Sequence, residues 1–180
     1  AAMARDPWDA LYAARDLATP SSYPVLNSGV DQLHQPRLAL EARDILRLAG
    51  VSSVKNGQFL VDSACPWQIN WGEKSNAGRQ RPIALVANHP DSALEFTVEV
   101  RGFIGVRYMK SYEHFGKLKL SWKCPDGSSS QILDGWHQDH TSLPVNERIK
   151  AGSGVCKVQL LTLPGLEASR SSFKIEYISV

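Results

Sequence analysis

The chain has 180 residues, about one domain by length. Its 20 Lys and Arg against 18 Asp and Glu leave a formal charge of +2, too balanced for the basic surface that non-specific nucleic-acid binding needs. Apolar residues make up 43%, an ordinary globular share, and no apolar run approaches the roughly 20 residues of a membrane span, so nucleic acid and membrane are set aside as partners.

The opening residues, Ala1-Ala2-Met3-Ala4-Arg5-Asp6, have neither a Met at position 1 nor the basic-then-apolar order of a signal peptide. The chain is therefore expected to be a processed or truncated piece of a longer protein, with any missing catalytic partner upstream. Pro7, Trp8, Leu11, Tyr12 and Leu17 predict a short helix, which Pro20 ends. After a turn-rich stretch, Pro36 opens a second predicted helix in which Leu38, Ala42, Ile45, Leu46 and Ala49 recur at three- and four-residue steps, with Gly50 as its C-cap.

Beyond Gly50 the pattern becomes short β-branched, aromatic and alternating runs divided by Gly, Pro, Asn and Ser. Strands are predicted at 58–62, 66–71, 82–87, 93–100, 103–109, 115–122, 129–133, 155–162 and 171–179, with Asp126-Gly127 and Pro164-Gly165 as turns. Lys117-Leu118-Lys119-Leu120-Ser121-Trp122 alternates as a strand does when one face meets the core and the other meets water. Eight or nine such strands predict a mainly β fold: an antiparallel, jelly-roll-like β-sandwich over 51–180, preceded by an α-helical segment over 1–50.

Asp31 stands three residues before His34, just ahead of the second predicted helix. At that spacing the carboxylate can turn back to hold one imidazole nitrogen while the other takes a proton from a nucleophile, which makes two thirds of a triad. On the plainer reading, Asp31 caps a turn and His34 is a surface residue. The block from Ser28 to Leu48, with its Asp-x-x-His loop before a helix, resembles the last conserved block of the SGNH (GDSL-type) hydrolases. That resemblance implies His34 as general base and Asp31 as its orienting carboxylate. The Gly-Asp-Ser block of the family and its oxyanion-hole Gly and Asn blocks are missing from these residues, so ester hydrolysis would require an upstream segment bearing the serine.

A second, longer resemblance runs through Tyr108-Met109-Lys110-Ser111-Tyr112-Glu113-His114-Phe115-Gly116, Leu133-Asp134-Gly135-Trp136, Cys156-Lys157-Val158 and Phe173-Lys174-Ile175. Content and order are similar to a C-terminal β-rich region of SGNH-like proteins from plants and algae. It implies the sandwich architecture and an extracellular or secretory setting.

Read by their chemistry, Ser111, Tyr112, Glu113 and His114 put three hydrogen-bonding side chains beside an aromatic at a strand end, where they either bind a sugar or close a corner of the sandwich. Trp67 and Trp71 would share one face of a strand and either stack on pyranose rings or fill the core; Trp136 is open to both readings. Asp134 and His137 repeat the Asp-x-x-His spacing. His137, Asp139 and His140 are of metal-ligand type, yet no third distant ligand is identified, so no metal and no cofactor are expected. The loop from Gly72 to Arg81 carries Lys74, Arg79 and Arg81, which either meet an acidic glycan or only keep the surface soluble.

Cys65, Cys124 and Cys156 allow one disulfide and a spare thiol, or three buried thiols. Cys124 ends one predicted strand and Cys156 begins another, so a bridge between them is geometrically reasonable. Two functions follow. In the first, the chain is a non-catalytic extracellular module that binds a glycan or cell-wall polysaccharide, or assembles with itself or a partner segment. In the second, it is the end of a carbohydrate esterase or acyltransferase that supplies Asp31 and His34.

Overall fold

The computed structural model describes residues 38–72, 81–164 and 171–180. These lie within one compact unit, Pro36–Val180, so the segments on either side of Gly50 belong together. In chain order the elements are β1 (Ala39–Glu41), α1 (Ala42–Leu48), β2 (Ser52–Lys55), β3 (Gln58–Val61), β4 (Trp67–Asn70), β5 (Ala84–Ala87), β6 (Ala93–Lys110), β7 (Lys117–Cys124), β8 (Gly127–Asp134), β9 (Leu143–Leu163) and β10 (Phe173–Ser179). The fold is a mainly β, antiparallel β-sandwich. No helix among the described residues is long and apolar enough to cross a membrane.

One continuous sheet, ordered β4-β5-β10-β6-β9-β7-β8 with β1 added beside β10, supplies both layers. The long strands β6 and β9 pair along their whole length and pass from one layer to the other. The second half of β6 pairs with β10, while the second half of β9 pairs with β7. The register shifts between Arg101 and Phe103, where Arg101 faces Ser153 and Phe103 faces Lys150, so β9 holds one extra residue. That residue switches the inward parity of β9. Val145 and Ile149 pack against the core on one side of the bulge, and Cys156, Val158 and Leu160 are buried on the other. On β6 the inward positions stay even throughout, from Leu94, Phe96 and Val98 to Ile104, Val106 and Tyr108.

Between the layers lies an apolar core. Tyr108 stacks on Phe173 with ring centres 5.3 Å apart, and Trp67, Leu118, Leu120, Leu133 and Ile175 are fully buried around them. Each such side chain contributes roughly 1.5–3 kcal/mol by leaving water. Ala42, Ile45 and Leu46 anchor α1 to the same core.

Several predicted elements differ from those observed. The helix expected from Pro36 begins only at Ala42, because Ala39–Glu41 pairs as a strand with β10, with Leu40 opposite Ile178 and buried. Glu41 then starts the helix, its backbone N–H donating to Asp44 Oδ2 at 3.0 Å. Strands expected at 93–100 and 103–109 are one strand, since Gly102 takes φ +80 at the bulge and the ladder carries on past it. The strand expected at 155–162 starts back at Leu143, where Pro144 is tolerated because this half of β9 is a sheet edge.

Candidate functional site

Both connections that cross between the layers at one end of the sandwich, residues 111–116 after β6 and 135–142 after β8, are tied together by backbone bonds. Ser111 N–H donates to Gly135 O at 2.8 Å, Gly135 N–H to Gly116 O at 2.9 Å, and Ser111 bridges to Trp136 in parallel fashion. The start of β10 joins them, with Ser172 N–H donating to His114 O at 2.8 Å and Gly116 N–H to Ser172 O at 2.9 Å. Inside the cluster, Ser111 is buried and its hydroxyl lies 3.0 Å from that of Ser142.

On this frame one ring from each loop meets the other. The Tyr112 ring meets His140 with ring centres 4.7 Å apart and planes tilted by 55°. The neighbouring Glu113 carboxylate is the main cause holding the Tyr112 phenol above its ordinary ionisation range. Tyr112 and Trp136 are half-buried, whereas Glu113, His114 and His140 are exposed. His114 adopts φ +47, uncommon for a side chain of its size, where the loop reverses. His137 has Nε2 2.6 Å from the carbonyl of Thr141. A carbonyl only accepts, so Nε2 carries a hydrogen and donates it. Asp134 is used locally, with Oδ1 accepting the Trp136 N–H at 3.0 Å. Asp134 and His137 are thus each engaged elsewhere rather than with one another. Among the described residues no three His, Cys, Asp or Glu side chains gather as a metal ion would require.

Of the residues singled out in the sequence, Tyr112, Glu113, His114 and Trp136 lie in these two tied loops. Trp67 and Trp71 part company, because β4 ends at Asn70 and the chain turns at Gly72 with φ +74. Trp67 is fully buried and its Nε1–H donates to Ser92 O at 3.1 Å, so it is a core residue with no surface to offer a sugar. Trp71 is 46% exposed and lies beside Phe59 and Arg43, whose guanidinium carbon is 4.7 Å from the Trp71 ring centre. Nothing in the sequence linked Arg43 to Trp71, which are brought together only by the packing of α1. Asp31 and His34 lie outside the described residues. Cys124 and Cys156 form a disulfide, and Cys65 is a free, buried thiol whose pKa is raised chiefly by its burial.

No family model matches the sequence, and no curated protein matches it either. Solved structures do resemble it in fold. A two-domain esterase (CEX) active on acetylated mannans superposes with a TM-score of 0.50 at 12% identity, over 89% of this chain and 40% of the esterase. The same two-domain esterase co-crystallised with mannopentaose gives a TM-score of 0.48 at 13% identity, over 64% of this chain and 32% of that one. The C-terminal CBM6 of LamC, a marine laminarinase from Zobellia galactanivorans, gives 0.43 at 13% identity, over 80% of this chain and 98% of the module. This chain therefore spans less than half the length of the esterase.

Proposed function

We propose that this chain is an extracellular glycan-binding β-sandwich module and that the crossover loops 111–116 and 135–142 form its sugar-binding edge. The observation that carries this reading is the Tyr112–His140 ring pair, set beside Glu113 and Trp136 by backbone ties between the two loops. A pyranose presents an apolar C–H face and a rim of hydroxyls. Aromatic rings suit the first, and the carboxylate and imidazole groups suit the second. The rings are held by the scaffold before any ligand arrives, which lowers the ordering cost of binding. The disulfide fits an oxidising compartment such as the cell exterior.

Affinity electrophoresis of the full chain through gels containing neutral polysaccharides, mannan, xylan and β-glucan among them, tests the reading. Retardation by one or more of these polymers is expected, together with its loss in Tyr112→Ala. If no polymer retards the wild-type chain, or if Tyr112→Ala is retarded equally, the loops are not a sugar site.

A further inference from the structure

On the outer face of the layer built from β6, β9, β7 and β8 runs a shallow groove of about 530 Å³. Strand register places its side chains in rows. Lys119 lies beside Leu161 and Ile132 in one row; Glu95, Gln159, Ser121 and Ser130 form the next; Lys157, Lys123 and Ser128 form the third. A second depression of about 250 Å³ shares Trp122, Ser128 and Ser129 with this groove and adds Lys150 and Asp126, whose Oδ2 accepts the Ser153 N–H, so the concavity extends toward the β7–β8 turn.

The charges in these rows are unbalanced. Lys123 and Lys157 are direct cross-strand partners, a like-charge arrangement that destabilises an antiparallel pair. Lys157 is paired with Glu95, Nζ to Oε1 at 2.6 Å. Neither Lys119 nor Lys123 has a carboxylate partner among the described residues. The two are four residues apart on β7, roughly 13 Å at the rise of a strand, so an anion bridging them has to be extended. Trp122 also lines the groove, but it is only 6% exposed and points inward on β7, so little of its ring is offered for stacking and charge and hydroxyl contacts carry the binding.

We propose that this groove binds an acidic polysaccharide, whose carboxylate or sulfate groups are held by Lys119, Lys123 and Lys157 while Ser121, Ser130 and Gln159 hydrogen-bond its hydroxyls. The site is separate from the crossover loops and does not depend on them. A linear polymer fills a long open groove in a way that a compact anion does not, and it brings one negative charge to each lysine in turn. The ligand also relieves the repulsion between Lys123 and Lys157 that the free protein carries.

The test is calorimetric titration of the full chain with sodium polygalacturonate and with dextran sulfate, using methyl-esterified pectin and unsubstituted dextran as their neutral counterparts. Binding of at least one charged polymer and not of its neutral counterpart is expected, with weakening as salt rises to about 0.5 M. Which charged polymer binds more tightly assigns the anion as carboxylate or sulfate. Lys119→Gln with Lys123→Gln is expected to weaken binding by about tenfold or more, while the exposed Lys55→Gln leaves it unchanged. Lys123→Gln alone is expected to raise the thermal midpoint of the unliganded protein, which shows that the lost binding is not lost folding. Equal affinity in the double lysine variant, binding of the neutral polymers to the same extent, or no binding of either charged polymer at low salt overturns the proposal.

Discussion

The hydroxyl of Thr162 accepts the backbone N–H of Ser92 at 2.8 Å, although the two residues are 70 positions apart in sequence. Thr162 also donates to His89 O at 2.7 Å, and the Ser92 carbonyl accepts from Trp67 Nε1 at 3.1 Å. Thr162 and Ser92 are both buried, so the polar atoms here have little access to water if a partner is lost. Thr162→Val keeps the shape and deletes the hydroxyl. It is expected to lower unfolding free energy by about 1–3 kcal/mol, whereas Thr162→Ser stays within about 1 kcal/mol of wild type. Urea denaturation of the three proteins checks this.

The disulfide closes a loop with a sequence separation of 32. Chain-entropy arithmetic gives a stabilisation of roughly 3–4 kcal/mol for a loop of that size. The double variant Cys124→Ser with Cys156→Ser is expected to lose about that much. Unreduced protein is expected to react with iodoacetamide once per chain, at Cys65, and only after denaturation, because burial disfavours the thiolate. Rapid labelling of the native protein contradicts this.

Tyr108 donates its phenol hydrogen to Glu147 Oε1 at 2.6 Å, and burial holds its ionisation above the ordinary range, with Glu147 adding to the effect. The folded-state pKa is thus raised. Below pH about 10 the phenol is protonated in both states and its stabilisation is whole. As pH climbs past that value the unfolded chain loses the proton first and stability falls. Wild type is expected to lose stability more steeply than Tyr108→Phe between about pH 10 and 11, as read from urea midpoints. Equal slopes would show that the phenol is not the group responsible.

Alternation made the sandwich legible. Leu118, Leu120 and Trp122 on β7 fall inward as their spacing indicates, and Lys117, Lys119 and Lys123 face out. The edge half of β9 was hidden because Pro144, Asn146, Glu147 and Arg148 dilute its apolar period, and only the partnership with β6 makes it a strand. Ser111 to His114 stood out as a polar cluster beside an aromatic, yet its partner His140 could not be read locally, since it returns after two strands have intervened. The Lys123–Lys157 opposition depends on register between β7 and β9, which periodicity within either strand does not fix.

Gly135 sets the approach of the two crossover loops. A Cβ there would lie 2.9 Å from the Gly116 carbonyl oxygen and 3.1 Å from the Phe173 ring, too close to both. Gly135→Ala is expected to push the loops apart, lowering stability by about 1–3 kcal/mol and weakening sugar binding together. A thermal melt and gel retardation measured on the same sample check the two effects.

Residue-resolved amide shifts on titration with a neutral oligosaccharide taken from the polymer that retards the chain bear most directly on the crossover loops as a sugar-binding edge. Saturable shifts are expected in 111–116 and 135–142, with Tyr112, Trp136 and His140 among the largest and the Lys119 to Lys123 stretch of β7 unmoved. Saturable shifts that leave both loops still would contradict the assignment.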